Sequence, residues 1–359
     1  MLFPILISVL CSFLLSAVMI PLIIKFCRAY SLYDSVNARK IHSGNIPRLG
    51  GIAIAVSFIL VACILFIKSD SLSARNVFPL LLSGSLIFVF GILDDIFELR
   101  AIYKLMVQLL ASAIVVCNGF YFKQFFGIVP PCWFSKAVTF FWIVGIINAY
   151  NLIDGLDGLC GTLVVTSLIT FGMILYGEYN EGAVICFLIA ASVCGFLVWN
   201  LPLPSAKIFM GDNGSQFLGF MVSTIPLYSA ATKIEFSKPL LLLLIVAFPM
   251  LDMIASIWRR LRDHRPIMSP DRFHLHHKLL NVGFSKRQVL CVILAIQLEI
   301  CASAFISTLI EKKSSIALFG ISYSFMLAFF TVIHYANRAV LRKIRLENEI
   351  RNSGKVPEL

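Results

Sequence analysis

Long apolar runs are the feature that most limits what this chain can fold into. Hydrophobic residues make up 59% of the sequence and charged residues only 14%, whereas soluble domains average about 45–50% and about 25%. No polar stretch is long enough to bury a core of its own, so we predict an all-α, polytopic membrane bundle of about ten or eleven transmembrane helices. The eleven predicted spans are 3–26, 49–67, 77–93, 103–117, 134–148, 159–176, 182–199, 214–230, 239–257, 288–309 and 315–335.

The first apolar run could be a signal peptide. It lacks a basic start and a small-residue cleavage site, however, so we expect an uncleaved helix. The ten cysteines are scattered through apolar runs without a CxxC pair, which is typical of reduced core residues rather than a disulfide framework. We predict one transmembrane domain over residues 1–336 and a basic cytoplasmic tail over residues 337–359.

The lysines and arginines indicate how the chain is oriented. Twenty-two of the 30 fall on one side of the predicted bundle, and this bias places the rich side in the cytoplasm. The N-terminus is then outside and the C-terminus inside. The net charge of +11 could suggest nucleic acid, but basic residues gathered on one side of a membrane protein are explained by its orientation, so nucleic acid is not an expected partner. The loops on the basic side are 25–48, 94–104, 148–159, 200–215 and 258–287.

The dense groups of polar residues lie in those same five loops. A transporter is expected to place ionisable groups near the middle of the membrane. Groups gathered at one surface instead favour an enzyme that acts on lipid headgroups. A transporter or lipid flippase with a cytoplasmic gate stays the alternative from a different functional class.

One loop carries two asparagines and two aspartates at a spacing of three, between two apolar runs: Asn148, Asn151, Asp154 and Asp157. Such residues are costly at a membrane boundary unless oxygen ligands are needed there. The alternative is a plain interhelical turn, since Asn, Asp and Gly are ordinary turn residues.

A pair of adjacent carboxylates, Asp94 and Asp95, ends the third run, and Lys104 follows. Neighbouring side chains on a helix point about 100° apart, so both carboxylates cannot face one atom. We expect one to bind a cation or accept a proton while the other orients a neighbour such as Lys104. A surface turn with a salt bridge is the alternative. We interpret Asp252, within another predicted span, as structural.

Asp212 lies between glycines where the eighth run begins, shortly after Asn200 and Phe209. The N-terminus of a helix presents free N–H groups to an anion. A carboxylate there can hold Mg²⁺, which in turn holds phosphate oxygens. An ordinary Asp N-cap is the alternative, and the two roles are compatible.

The longest loop on the basic side combines Arg272 with three histidines, His274, His276 and His277. Arginine and histidine suit sugar hydroxyls and phosphate. Zinc is the alternative, although no cysteine ligands or HExxH pattern accompany the histidines. Basic residues around Lys40 suit a diphosphate or a lipid phosphate, with ordinary positive-inside charge as the alternative.

Taken together, these residues resemble the polyprenyl-phosphate N-acetylhexosamine-1-phosphate transferase family, or glycosyltransferase family 4. The match covers roughly residues 25–289, and the combination is far more specific than any single motif. The histidine loop is similar to that of the bacterial N-acetylglucosamine branch. The four motifs are Asp94-Asp95 with Lys104, Asn148-x-x-Asn151-x-x-Asp154-Gly-x-Asp157-Gly, Phe209-x-Gly211-Asp212-x-Gly-Ser215, and His274-x-His276-His277.

The resemblance implies transfer of N-acetylhexosamine 1-phosphate, foremost N-acetylglucosamine 1-phosphate, from a UDP-sugar to undecaprenyl phosphate. It places the reaction at the cytoplasmic face of the bacterial inner membrane, among membrane lipids, as the first step of a cell-envelope polysaccharide such as lipopolysaccharide or O-antigen. It also implies Mg²⁺, with Mn²⁺ as a substitute, and leaves open another UDP-N-acetyl sugar and a homodimer.

Residue roles follow from the same resemblance. Phe209 and Asp157 lie near the uracil, and Asp94 is the base toward the lipid phosphate. The implied catalytic residues are Asp94, Asp95, Asp154 and Asp157, the metal ligands are Asn151 and Asp212, and the substrate-binding residues are Lys40, Lys104, Asn200, Phe209, Arg272, His274, His276 and His277.

Overall fold

The computed structural model describes residues 2–33, 46–69, 74–125, 128–177, 180–201, 203, 205–227, 238–266 and 273–353. Over these ranges the chain forms thirteen α-helices and no β-sheet. In chain order they are α1 (Leu2–Ala29), α2 (Gly51–Lys68), α3 (Ala74–Phe97), α4 (Ala101–Cys117), α5 (Cys132–Ile153), α6 (Leu159–Leu175), α7 (Asn180–Asn200), α8 (Asp212–Thr224), α9 (Lys238–Ile245), α10 (Ala247–Arg262), α11 (Leu275–Val282), α12 (Lys286–Ile306) and α13 (Lys312–Ser353).

The helices confirm the prediction of a polytopic, all-helical membrane protein. Within the described ranges, seven are long and apolar enough to cross a bilayer, namely α1, α2, α3, α5, α7, α12 and α13. The helices α4 and α6 are apolar as well but have 17 residues each. Each of the eleven predicted spans overlaps a helix.

The predicted span 239–257 is in fact two helices, which are separated at Val246. The cause is Pro249, which has no N–H and whose ring crowds the carbonyl four residues earlier. That carbonyl belongs to Ile245, and it accepts a hydrogen bond from Nε2 of Gln297 at 3.0 Å instead. A buried glutamine from α12 therefore satisfies the backbone group that the proline leaves without a helical partner.

The first helix places apolar residues outward and small polar residues inward. Leu10, Leu14 and Val18 are exposed, whereas Ser12 and Ser16 are fully buried. Ser12 donates to the carbonyl oxygen of Leu188 in α7 at 2.9 Å. Small residues at helix contacts and large apolar residues outside are typical of helices that face lipid.

The centre of the bundle is α8, whose residues Asn213 to Thr224 are all buried. It packs against α2, α3 and α5. The ring of Phe217 lies 6.2 Å from the rings of both Phe58 and Phe88, measured between centroids. The start of α8 is therefore held by three surrounding helices before any polar contact is considered.

The predicted polar loops meet at one end of the bundle, as contacts between their residues show. The helices α3, α5, α7 and α10 end there, and α4, α6, α8 and α12 begin there. The last helix continues unbroken to Ser353, so the division at residues 336 and 337 does not coincide with a helix end and stays a prediction. Lys40 and Arg272 lie outside the described residues.

Candidate active site

Three helices bring a lysine between two carboxylates. Asp94 lies near the end of α3, Lys104 in the first turn of α4, and Asp212 is the first residue of α8. The Nζ atom of Lys104 is 2.5 Å from Oδ2 of Asp94 and 2.7 Å from Oδ2 of Asp212. The other oxygen of Asp94, Oδ1, accepts the backbone N–H of Leu99 at 3.0 Å, which fixes the carboxylate. Two of the sequence motifs thus meet at a single ammonium group.

The neighbouring carboxylate, Asp95, has a different task from Asp94. Its Oδ1 accepts the backbone N–H of Asp212 at 3.1 Å, and its Oδ2 accepts the backbone N–H of Asn213 at 3.0 Å. The side-chain amide of Asn213 also donates to Oδ2, at 2.5 Å. Asp95 therefore caps α8 from another helix. A catalytic role for Asp95 stays a prediction.

The expectation that the start of α8 offers free N–H groups to a substrate anion was wrong. Asp95 takes the first two of these donors. The next two, from Gly214 and Ser215, donate to the carbonyl oxygen of Gly211 at 3.2 Å and 3.0 Å. The first four N–H groups of a helix have no partner within the helix, and here a protein carboxylate supplies the anion.

The turn before α8 requires a glycine. Gly211 has φ of +78°, a backbone conformation that residues with a Cβ rarely adopt. A Cβ at this position would also lie 2.1 Å from the carbonyl oxygen of Arg48. The guanidinium of Arg48 in turn donates to the carbonyl oxygen of Asp95. This tight crossing brings the end of α3 together with the starts of α8 and α2.

Asn151, in the last turn of α5, reaches the same group of residues. Its Nδ2 donates to Oγ of Ser215, three residues after Asp212, at 3.0 Å, and its amide lies close enough to the carboxylate of Asp212 to help lower the pKa of that group. The structure therefore brings together Asn151 and Asp212, the two residues predicted to bind a metal.

A chain of side-chain amides lies beneath Asp212, and the sequence analysis missed its two glutamines. Asn148 donates to Oε1 of Gln108 at 2.8 Å, and Gln108 donates to Oε1 of Gln216 at 3.0 Å. Gln216 then donates to Oδ2 of Asp212 at 3.2 Å. The signal was present, because each glutamine follows a site residue by one helical turn in an otherwise apolar run: Gln108 follows Lys104, and Gln216 follows Asp212.

The surroundings of Asp212 keep it ionised. Desolvation by itself would raise the pKa of this carboxyl group. The nearby ammonium of Lys104 and the polar groups of Asp94, Lys104 and Asn151 around the carboxylate outweigh desolvation and lower the pKa below the ordinary value. Asp212 is therefore negatively charged at neutral pH and suited to a cation.

A second group of contacts holds the loop between α5 and α6. Asp157 forms an ion pair with Lys286, the first residue of α12, whose Nζ lies 3.4 Å from Oδ2. The sequence analysis missed Lys286. Asn200 is buried, accepts the N–H of Gly158 at 2.9 Å and donates to the carbonyl oxygen of Ile208 at 2.8 Å. Both polar ends of Asn200 thus bind backbone, and its contact with substrate stays a prediction.

Two further predicted residues, Asp154 and Phe209, are half-buried at this end of the bundle. Asp154 lies in the turn between Asn151 and Asp157. The N–H of Phe209 donates to the carbonyl oxygen of Pro47 at 2.7 Å, and its own carbonyl oxygen accepts the N–H of Gly50 at 2.9 Å. These bonds fix the backbone of Phe209, and the uracil pocket stays a prediction.

The histidine motif starts the short helix α11, and Asp252 anchors it. Nδ1 of His274 lies 2.7 Å from Oδ2 of Asp252, and the N–H of Leu275 donates to Oδ1 at 2.9 Å. The sequence analysis treated Asp252 as structural without a partner. A buried aspartate inside an apolar run was the available signal.

His276 links α11 to the loop between α5 and α6. It is 1% exposed, and neither ring nitrogen has a hydrogen-bond partner within the described residues. A Cβ on Gly155 would lie 2.7 Å from its Nε2, so only glycine allows this approach. Burial lowers the pKa of His276 to about 3, and the ring is neutral. The rings of His276 and His277 are 4.3 Å apart.

The donors at Asp212 suit magnesium better than zinc. A carboxylate oxygen and an amide oxygen are hard ligands, and Mg²⁺ commonly takes one or two protein ligands while water and phosphate oxygens complete its octahedron. Among the described residues, the histidines of α11 included, no group of three or more His, Cys, Asp or Glu side chains is arranged to hold a metal. Asn151 and Asp212 therefore fit Mg²⁺ whose other ligands would be oxygens from outside the protein.

Comparison with known proteins shows what the chain is similar to. Residues 77–230 match the family described as glycosyl transferase family 4. An undecaprenyl-phosphate alpha-N-acetylglucosaminyl 1-phosphate transferase of Escherichia coli K12 is 32% identical over 348 residues, which is 93% of each chain. A probable undecaprenyl-phosphate N-acetylglucosaminyl 1-phosphate transferase of Bacillus subtilis 168 is 33% identical over 310 residues, which is 84% of each chain.

The matched segment 77–230 contains three of the four motifs on which the resemblance rested. The relatives extend the likeness over nearly the whole length and over the histidine motif. Since the motifs, the geometry that joins them and these relatives agree, the resemblance is confirmed: the chain belongs to glycosyl transferase family 4.

Proposed function

We propose that this protein transfers N-acetylglucosamine 1-phosphate from a UDP-sugar to undecaprenyl phosphate and releases UMP. The relatives that cover most of the chain carry names for this transfer. The observation that carries the proposal is the ammonium of Lys104, which lies between Asp94 and Asp212 beside Asn151. A partly exposed charge cluster at one end of a lipid-facing bundle suits a reaction between a lipid phosphate and a charged soluble donor.

In this reaction an oxygen of the lipid phosphate attacks the β-phosphorus of the donor. A new P–O bond forms there, and the bond from the β-phosphorus to the bridging oxygen breaks, so that UMP leaves with that oxygen. Such transfers depend on positioning and charge neutralisation more than on covalent help from the protein. The second pKa of a phosphate monoester is about 6, so the lipid phosphate is already mostly ionised at pH 7. Asp94 then positions the lipid phosphate through Lys104 rather than removing a proton.

Magnesium held by Asn151 and Asp212 would supply positive charge to the diphosphate of the donor. Asp212 is ionised for this role, and the amide chain through Gln216 and Gln108 fixes its Oδ2. Lys104 is free to turn from the two carboxylates to a phosphate oxygen, because its long side chain is partly exposed. Asp157, with Phe209, would hold the uracil end.

We further propose that this end of the bundle faces the cytoplasm of a bacterial inner membrane. The motif loops carry most of the lysines and arginines, and such loops stay inside. A UDP-sugar is a soluble metabolite that would reach the site from this side.

The orientation predicts how introduced cysteines react. In a background without the ten native cysteines, Ser314→Cys should react with a membrane-impermeant thiol reagent in intact cells, whereas Asp263→Cys should not. Both positions are exposed, so accessibility differs only by the side of the membrane. Permeabilising the cells should let Asp263→Cys react, as the control. Reaction of Asp263→Cys in intact cells would reverse the orientation.

The proposed reaction is tested by UMP release. Purified protein in nanodiscs with Mg²⁺ and undecaprenyl phosphate should release UMP with UDP-N-acetylglucosamine and form a lipid-linked sugar diphosphate. Omission of the lipid phosphate should stop release. A panel of other UDP-N-acetyl sugars decides the donor, and faster turnover with another member would reassign the sugar. Movement of a lipid or sugar across the membrane without any UMP release would favour the transporter instead.

A further inference from the structure

We propose that Asp252 is a positioning residue that holds His274 in its protonated form, with Nδ1 on the carboxylate and Nε2–H left to bind a phosphate oxygen of the donor. The link between Asp252 and His274 stands on the geometry alone. The identity of the bound oxygen rests on the proposed function.

The first observation is the way Asp252 uses both carboxylate oxygens. Oδ2 faces Nδ1 of His274 at 2.7 Å, and Oδ1 accepts the N–H of Leu275 at 2.9 Å. Because the N–H of Leu275 occupies Oδ1, the imidazole of His274 is restricted to Oδ2. Nδ1 must carry a proton to make its contact, since a carboxylate only accepts.

The second observation is the lack of any other counter-charge. Asp252 and His274 are 2% and 5% exposed. Within the described residues, Asp252 forms no ion pair with a lysine or arginine; His274 is in direct contact with it, and the other nearby imidazole, that of His276, is neutral. A buried carboxylate without a cation is costly, so the imidazolium form of His274 is the state that this contact stabilises.

The third observation concerns the other ring nitrogen. Within the described part of the chain, the ring of His274 makes its hydrogen bond through Nδ1, and no hydrogen bond is seen at Nε2. The ring lies parallel to that of His276, at 2° between planes and 5.9 Å between centroids. His276 in turn packs against Gly155, between Asn151 and Asp157 of the candidate site. The available N–H of His274 thus belongs to the same end of the bundle as the site.

Carboxylate–imidazole pairs orient a ring and stabilise its charged form for work at the opposite nitrogen. An anion at Nε2–H would complete the pair here. The phosphate oxygens of a nucleoside diphosphate sugar are such an anion. Asp252 does not touch the donor in this scheme and acts only through His274.

The simpler alternative is that Asp252 only holds the first turn of α11 through Leu275. The variant Asp252→Asn separates the two roles. Its Oδ1 can keep the bond from Leu275, but its amide N–H₂ then faces Nδ1. If Nδ1 of His274 kept its proton, its N–H would face the N–H₂ of the new amide, and two donors cannot form a hydrogen bond. His274 therefore loses the imidazolium state while α11 keeps its anchor.

A double-mutant cycle measures the coupling. We expect Asp252→Asn and His274→Ala each to lower kcat/KM for the UDP-sugar about ten- to hundredfold, mainly through KM. The double variant should be no worse than His274→Ala, because Asp252 acts through that ring. Asp263→Asn makes the same chemical change at an exposed carboxylate just after α10 and should leave kcat/KM unchanged. Additive losses in the cycle would overturn the proposal.

Nitrogen NMR of ¹⁵N-histidine protein in nanodiscs gives a readout that needs no reaction. One strongly hydrogen-bonded Nδ1–H should appear in the unmutated protein and vanish in both Asp252→Asn and His274→Ala. If Asp252→Asn fails to fold, Asp252→Glu and the His274→Ala spectrum replace it. Absence of the signal in the unmutated protein would refute the link.

The two proposals can fail separately. If no UDP-sugar supports UMP release, the proposed function falls, and the cycle is measured on the Kd for UDP-N-acetylglucosamine. A coupled loss of binding would still support Asp252 and His274 as an anion site. No loss of binding in either variant would overturn it.

Discussion

Asp212→Asn should abolish nearly all transfer while the protein stays folded and inserted. Turnover should fall at least about a hundredfold, because an amide cannot replace the negative charge with which Asp212 would hold Mg²⁺ in the proposed function. The fold should survive, since the start of α8 is capped by the side chain of Asp95 and not by that of Asp212. UMP release over a range of Mg²⁺ concentrations, beside thermal unfolding of the same preparation, measures both parts.

Glu98→Gln is the matched control for this prediction. It removes a carboxylate charge at the same end of the bundle, but Glu98 is exposed and lies 3.6 Å from Arg48 rather than in the cluster of Lys104. Its turnover and Mg²⁺ dependence should match those of the unmutated protein. Near-normal turnover of Asp212→Asn at low Mg²⁺ would show that the metal is not bound by this residue.

Asp95→Ala should instead act on stability. Three donors at the start of α8, the N–H groups of Asp212 and Asn213 and the amide of Asn213, would lose their acceptor in a buried position. Each hydrogen bond to a charged group contributes about 1.5–3 kcal/mol, and an unsatisfied buried donor costs a similar amount. We expect the free energy of unfolding to fall by about 3 kcal/mol or more, with a Tm lower by several degrees.

The variant Asp95→Asn changes the same contacts less severely and serves as the comparison. Its single side-chain oxygen can still accept from α8, so it should lose less stability than Asp95→Ala. Thermal unfolding in the same detergent compares the two. An Asp95→Ala protein with unchanged Tm and no turnover would show that Asp95 acts in the chemistry and that its contacts with α8 contribute little to the fold.

Asp94 and Asp95 show how much of the site can be predicted from the sequence. The angle between neighbouring residues on a helix predicts that the two carboxylates cannot share one target. The structure confirms this, with Asp94 on Lys104 and Asp95 on α8. Which of the two faces which neighbour could not be predicted, because that depends on the rotation of α3 within the bundle.

The pairs found only in the structure join residues that are far apart in sequence. Asp157 pairs with Lys286, and Asp252 pairs with His274. Lys286 and Asp252 were not predicted as site residues, because Lys286 lies in a polar stretch that begins an apolar helix and Asp252 is a single aspartate within an apolar run. Gln108 and Gln216 were equally inconspicuous, although their bond connects α4 to α8.

The sequence by itself determined the membrane bundle and the family. Both depend on properties of single segments: enough apolar residues to cross a bilayer, and oxygen-bearing motifs at the ends of those segments. Only the tertiary structure decided the partners of each group, such as the cap that Asp95 gives to α8 and the anchor that Asp252 gives to His274. The reason is that side-chain contacts across helices depend on how each helix is rotated and on how deep it sits, and packing of the whole bundle sets both.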